Sequence, residues 1–173
     1  MEGGNLGKVA DSDHGSWYRE LFAPSVFFGL HAPADPAGYR RGQVYIRGSM
    51  HVPVKREVLS QSMEPLLGLL SLEESAAVRV ALGHFFFVFI HPYMDGNGRI
   101  GRFLMDIMPA SGGCPWTVIP VEAIADYMQA LEEASVRQNI RPFAQFDATL
   151  VYKQMEGSGA ITPRPGKTKN SPF

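Results

Sequence analysis

Apolar positions recur at helical spacing over much of this chain. Between residues 55 and 70 they fall at 58, 59, 63, 66, 67 and 70, with Pro65 interrupting the middle. Ser71-Leu72-Glu73-Glu74 then reads as a capping box, with Ser71 at the N-cap and Glu74 three residues on. The helix it opens is predicted to run to about Ile90. Its second half, ALGHFFFVFI, is apolar on nearly every face, which marks it as the central buried helix. RIGRFLMDIM is helical again and ends before Pro109 and Ser111-Gly112-Gly113. Residues 121–138 form an amphipathic helix through Ile124, Tyr127, Met128, Leu131 and Val136. Pro142 suits the first position of a last helix, FAQFDATLVYKQM.

Other segments break this period. Residues 17–29 predict a short helix followed by an apolar turn around Pro24, and residues 31–42 a loop rich in proline and glycine. QVYIRGSMHVP, residues 43–53, alternates as a strand, turns at Arg47-Gly48-Ser49 and returns through Met50-His51-Val52 to Pro53. A small β-hairpin is the expectation there. The predicted organisation is a flexible segment over residues 1–15, one domain over 16–156 and a disordered polar tail over 157–173. The fold class is mainly α with one hairpin.

Composition narrows the picture. The chain has 173 residues, 45% apolar and 19% charged, with a formal net charge of -1. That fits a single globular domain and gives no basic field pointing to nucleic acid. A lone cysteine, Cys114, excludes an intrachain disulfide and a multi-cysteine zinc site, and is expected to be a structural thiol. No secretory leader is visible, and the run FFFVFI is too short to span a bilayer. The expectation is a cytoplasmic protein without membrane contact; an effector secreted without a cleaved leader would look the same.

The chemistry concentrates in HPYMDGNGRIGR, residues 91–102, at the end of the buried helix. Gly96-Asn97-Gly98 leads into a helix N-terminus, where unpaired N–H groups and positive potential favour an anion. Arg99 and Arg102, three apart, both have the fork geometry that grips phosphate oxygens. Asp95 is a candidate magnesium ligand bridging the same phosphates. His91 opens the loop with an imidazole able to accept a proton from an attacking hydroxyl. A glycine turn alone would explain Gly96 and Gly98, but not His91, Asp95, Arg99 and Arg102 together. The set describes a phosphoanhydride site with a general base. No P-loop or protein-kinase motif accompanies it. His84 reads as a hydrogen-bonded core histidine, His14 as part of the mobile terminus, and Glu132-Glu133 as a solvated helix face.

HPYMDGNGRIGR resembles the Fic-family signature HPFx(D/E)GNGRxxR, with Tyr93 where Phe is usual. The resemblance extends to QVYIRGSMHVP and to SLEESAAV and FFFVFIHP, over roughly residues 17–155. It implies a Fic-type helical bundle with a β-hairpin flap beside the active loop. It also implies transfer of AMP from ATP to a Ser, Thr or Tyr hydroxyl of a target protein, with Mg2+. By position, His91 would be the general base and Asp95 the Mg2+ ligand. Asn97 with the backbone at Gly96 and Gly98 would form the anion hole, and Arg99 and Arg102 would hold the β- and γ-phosphates. Met50, His51 and Val52 would dock the target segment on the flap. Gly98 favours nucleotidyl transfer, because kinase-like relatives carry Lys there. Two alternatives stay open: another donor on the same scaffold (UTP, GTP or a phosphocholine carrier), and a non-catalytic binding module of a longer regulatory protein.

Many family members are restrained by a helix of the form [S/T]xxxE[G/N]. Tyr152 to Glu156-Gly157 matches its end but not its start, Ser60 to Glu64 is followed by Pro65, and Glu2-Gly3 lacks the preceding positions. A missing inhibitory helix, an antitoxin-like partner, or Glu156 in a degenerate motif are the three sources of inhibition considered. The family resemblance points to a bacterial origin.

Overall fold

A computed structural model describes residues 6–27, 38–110 and 118–158. The described residues form six helices: α1 (Leu6–Phe27), α2 (Leu59–Leu72), α3 (Ala76–Ile90), α4 (Asn97–Ala110), α5 (Ile124–Arg137) and α6 (Arg141–Ser158). Short 3-10 turns, Arg56–Val58 and Val121–Ala123, lead into α2 and α5. Among the described residues no helix is long and apolar enough to cross a membrane.

The all-round apolar character of α3 has a direct cause: it serves two cores. Val80, Phe87 and Ile90 pack with Tyr18 and Phe22 of α1, Leu59, Met63, Leu66 and Leu70 of α2, and Ile100, Leu104 and Met105 of α4. Phe85, with Val88 and Phe89, packs instead against Tyr127, Leu131 and Phe143 from α5 and α6. Each large buried side chain contributes about 1.5–3 kcal/mol. The approach of α4 to α3 requires Gly101. A Cβ there would lie 2.9 Å from Val88 Cγ2 and 3.2 Å from the His84 ring.

Local signals shift at three places. The α2 helix runs through Ser71, and the N-cap of α3 is Ser75, whose hydroxyl accepts the Val78 N–H at 3.4 Å. Glu73, two residues before the cap, accepts the Ser75 N–H at 2.8 Å, so the expected Ser71–Glu74 capping box is not formed and the cap lies four residues downstream. Helix α1 begins at Leu6 and continues through Pro24. It buries His14, which the sequence pattern leaves in a mobile end, against Tyr39. The run of α4 likewise extends past Pro109 to Ala110. Cys114 and His31 lie outside the described residues.

The expected β-hairpin is not formed: no strand occurs among the described residues. Residues 43–53 are an extended loop around a turn, closed by Ser49 N–H to Ile46 C=O at 3.1 Å. The donors of the returning arm are taken elsewhere. Met50 N–H goes to Glu132 Oε1 at 2.8 Å and His51 N–H to Ser49 Oγ at 3.0 Å, while Pro53 has none. The His51 N–H, the next cross-strand donor after Ser49, is therefore lost to a ladder despite favourable β-propensity. The segment is a flap held by side chains.

Candidate functional site

The site is built where α3 ends and α4 begins. His91 caps α3 in the left-handed region (φ 56°, ψ 61°), with its N–H on the Phe87 carbonyl at 3.0 Å. Pro92 cannot donate to a further helical turn and disfavours right-handed helix at His91. A non-glycine residue in this conformation costs about 1–3 kcal/mol unless its surroundings hold it. Here they do. The buried Arg40 donates Nε to the His91 carbonyl at 2.8 Å and Nη1 to the Gly42 carbonyl at 2.8 Å, and its Nη2 donates to the Val54 carbonyl. Its own N–H reaches the Pro92 carbonyl at 2.8 Å. Burial lowers the Arg40 pKa, opposed by the charge of Glu57. Nothing in the sequence marks this arginine among its neighbours.

The His91 ring is fixed as well. Its Nδ1 lies 3.1 Å from the Val88 carbonyl. A carbonyl only accepts, so Nδ1 carries the proton and Nε2 the lone pair. Burial lowers the His91 pKa, partly offset by the Val88 carbonyl, with the charges of Arg40 and His51 lowering it further. The imidazole is therefore neutral at neutral pH.

The loop between them is closed from inside. Asn97 is buried, and its amide spans the Tyr93 backbone: Oδ1 accepts the Tyr93 N–H and Nδ2 donates to the Tyr93 carbonyl, each at 2.8 Å. The side chain expected in an anion hole is thus a clamp, leaving the backbone N–H groups of Asn97 and Gly98 as the donors without intrahelical acceptors. Gly96 has φ +77°, and a Cβ on it would sit 2.5 Å from the Phe22 ring, so only glycine fits. Tyr93 stacks on Tyr18 with ring centroids 3.8 Å apart, and its buried hydroxyl has no partner among the described residues. Burial raises the pKa of that hydroxyl.

A cavity of about 410 Å³ brings together His91, Gly98 and Arg102, with Ser49 and His51 of the flap and Glu132 of α5. Arg102 hydrogen-bonds the Tyr127 hydroxyl, which lies 2.9 Å from His84 Nε2. His84 is fully buried, and desolvation first and the Arg102 charge second push it down to about 3, so it stays neutral. The core-histidine expectation holds, with the addition that His84 supports the residue bonded to Arg102. Among the described residues no carboxylate pairs with Arg102.

Arg99 and Asp95 are not among the residues lining this cavity. Arg99 lies 4.6 Å above the Phe22 ring and 3.2 Å from Asp95 Oδ2, while Asp95 Oδ1 accepts the Gly96 N–H at 2.6 Å. Among the described residues no cluster of three His, Cys, Asp or Glu could hold a metal ion. Any ion at Asp95 would take its remaining ligands from water and substrate.

On the flap, Met50 and Val52 are 80% and 58% exposed, but His51 is buried. Its Nε2 meets the Phe89 carbonyl at 2.8 Å and its ring lies 4.3 Å from that of Phe89. It anchors the flap and leaves Met50 and Val52 on the surface. Glu132, read from the sequence as a solvated face, binds the flap through both carboxylate oxygens. Only the pairing partner, distant in sequence, distinguishes it from its neighbour Glu133. Glu156 lies in α6, and its side chain is outside the described residues.

This geometry has known counterparts. The chain is 34% identical over 128 residues to proteins named Protein adenylyltransferase Fic from Drosophila ananassae and Drosophila melanogaster, covering 72% of this chain and 25% of each of theirs. It spans about a quarter of the length of these relatives. The solved structure of Fic-1 (residues 134–508, E274G) from C. elegans superposes with a TM-score of 0.70 at 27% identity, covering 86% of this chain and 43% of that one. A Fic domain containing signaling protein from Bacteroides thetaiotaomicron shares the fold, with a TM-score of 0.63 at 23% identity over 74% of this chain and 57% of that one. These two relatives are insect proteins, so the similarity gives no specific support to a bacterial origin. The Fic/DOC family profile matches residues 16–108, more than half of the sequence and all of the loop from His91 to Arg102, and the chain belongs to that family.

Proposed function

We propose that this domain transfers AMP from ATP to a Ser, Thr or Tyr hydroxyl of a target protein and releases pyrophosphate. The observation that carries the reading is the neutral His91, whose lone pair is fixed on Nε2 in a cavity shared with Arg102 and the start of α4. His91 Nε2 takes the proton of the target hydroxyl, whose oxygen attacks the α-phosphorus. The new P–O bond forms as the bond to the bridging oxygen breaks, and that electron pair leaves with pyrophosphate. Arg102 supplies a forked cation for the phosphate chain, and the N–H groups of Asn97 and Gly98 face charge developing on the transferred phosphoryl group.

Asp95 fits a magnesium ion of the kind held by one carboxylate together with substrate phosphates and water. Its Oδ2 contact with Arg99 is exposed and therefore weak enough to yield. When bound, the ion would neutralise phosphate charge. Arg99, released from Asp95, would join Arg102 on the β- and γ-phosphates. A Cβ at Gly98 would lie 3.5 Å from Arg102 Nη1, an ordinary contact, so the preference for nucleotidyl over phosphoryl transfer rests on the family resemblance at Gly98. Exposed Met50 and Val52 are the proposed docking points for the target, acting as apolar contacts on an extended loop. A separate inhibitory helix, an antitoxin-like partner and Glu156 are the three proposed sources of an inhibitory carboxylate for Arg102.

Intact-mass analysis after incubation with ATP and Mg2+, beside His91→Ala, tests the reading. A gain of AMP units in the unmutated protein only, with nucleotide still bound by His91→Ala, is expected. Loss of ATP binding in His91→Ala would refute the role given to His91, and a phosphate-sized gain would refute the donor orientation.

A further inference from the structure

Two anchors hold the flap, and they lie on different helices. The inner one is His51, buried against Phe89 of α3. The outer one is Glu132 of α5. Ser49 Oγ donates to Glu132 Oε2 at 2.5 Å and Met50 N–H donates to Oε1 at 2.8 Å. The same hydroxyl accepts the His51 N–H at 3.0 Å, which links the two anchors through one side chain. Gly48, Ser49 and Glu132 line the cavity that also contains His91 and Arg102, so the outer anchor forms part of its wall.

We propose that Glu132 is a positioning residue that latches the flap turn across the His91–Arg102 cavity and thereby sets the cavity's width and the presentation of Met50. The carboxylate suits this task. Its two oxygens accept divergent donors on adjacent residues, one from backbone and one from side chain, and both hydrogen bonds are charge-assisted. Without a ladder to hold the returning arm, these two bonds replace strand pairing for the outer part of the flap. Gly48, at φ +77° with open space around it, lets the chain turn immediately before the latched pair. Ser49 and Met50 have no second tether on α5 among the described residues.

The role given to Glu132 in the reaction rests on the adenylyl-transfer reading; its structural role does not. The test therefore has two arms. In the first, amide hydrogen exchange is followed in wild type, Glu132→Ala and Glu132→Gln. Opening of the latch in Glu132→Ala is expected to speed exchange at Met50 by about tenfold or more, with α3 and α5 unchanged. Glu132→Gln keeps an acceptor for Met50 N–H and offers an N–H to Ser49 Oγ, so its rate should lie near wild type. Unchanged exchange at Met50 in Glu132→Ala, or equal rates in the two variants, would overturn the latch. In the second arm, self-modification with ATP and Mg2+ is measured. Glu132→Ala should raise the KM for ATP by about three- to tenfold with kcat within about twofold, since the base is untouched. A loss confined to kcat would overturn the positioning role. Absence of modification in wild type would count against the adenylyl reading alone, leaving the exchange arm to decide the latch.

Discussion

Asp147 sits on α6, 3% exposed, and neither carboxyl oxygen has a hydrogen-bond partner among the described residues. Burial alone pushes its pKa from the ordinary 3.8 up to about 7. The native state therefore keeps a proton that the unfolded chain has lost, so the unfolded state binds fewer protons across that interval. Stability must fall as pH rises from about 4 to about 7 and then level off. A shift of about three pKa units corresponds to roughly 4 kcal/mol at the plateau. At pH 5 less than half of that penalty should be present. Asp147→Asn removes the ionisation while keeping the shape. Its stability relative to wild type should rise by about 2–3 kcal/mol between pH 5 and pH 8. Urea unfolding followed by circular dichroism at both pH values reads this directly, because any constant effect of the amide cancels in the comparison. A difference that does not change with pH would refute the reasoning, since it would mean that Asp147 is either already ionised or already paired. The site is not remote from function: the Asp147 charge acts on Tyr127, the residue bonded to Arg102.

Three further outcomes follow from the site. Burial holds the His91 pKa below the usual 6.5, so the base form is complete at neutral pH; the transfer rate should be flat above pH 7 and fall only with a midpoint below 6.5, as a pH–rate profile would show. Arg40→Ala strands the carbonyls of His91, Gly42 and Val54 and should lower the unfolding free energy by about 3 kcal/mol or more, with Arg40→Lys intermediate, as read by denaturant titration. Gly101→Val forces a branched side chain into a gap already 2.9 Å from Val88 at the Cβ and should cost about 1–3 kcal/mol, visible as a lower Tm.

The sequence by itself determined the helical class and the family's motif loop. Helix period and the all-round apolar run at 81–90 located α3, and the residues from His91 to Arg102 carry the Fic-family motif at a helix start. These are local properties, set by spacing of 3.6 residues and by the side chains a short loop can present. What pairs across distance was decided by tertiary structure. The flap has strand-like residues, yet the His51 N–H that a ladder would need after Ser49 goes to Ser49 Oγ, which is itself held by Glu132, 83 positions away. His51 looks exposed by its polarity but turns inward because the Phe89 carbonyl offers a partner. Arg40 looks like any loop arginine until three carbonyls, one of them 51 residues away, converge on it. Asn97 reads as a ligand donor, but the Tyr93 backbone consumes both ends of its amide. A polar side chain's role depends on which partner arrives to satisfy it, and the partners of Glu132, His51 and Arg40 arrive only when the helices pack.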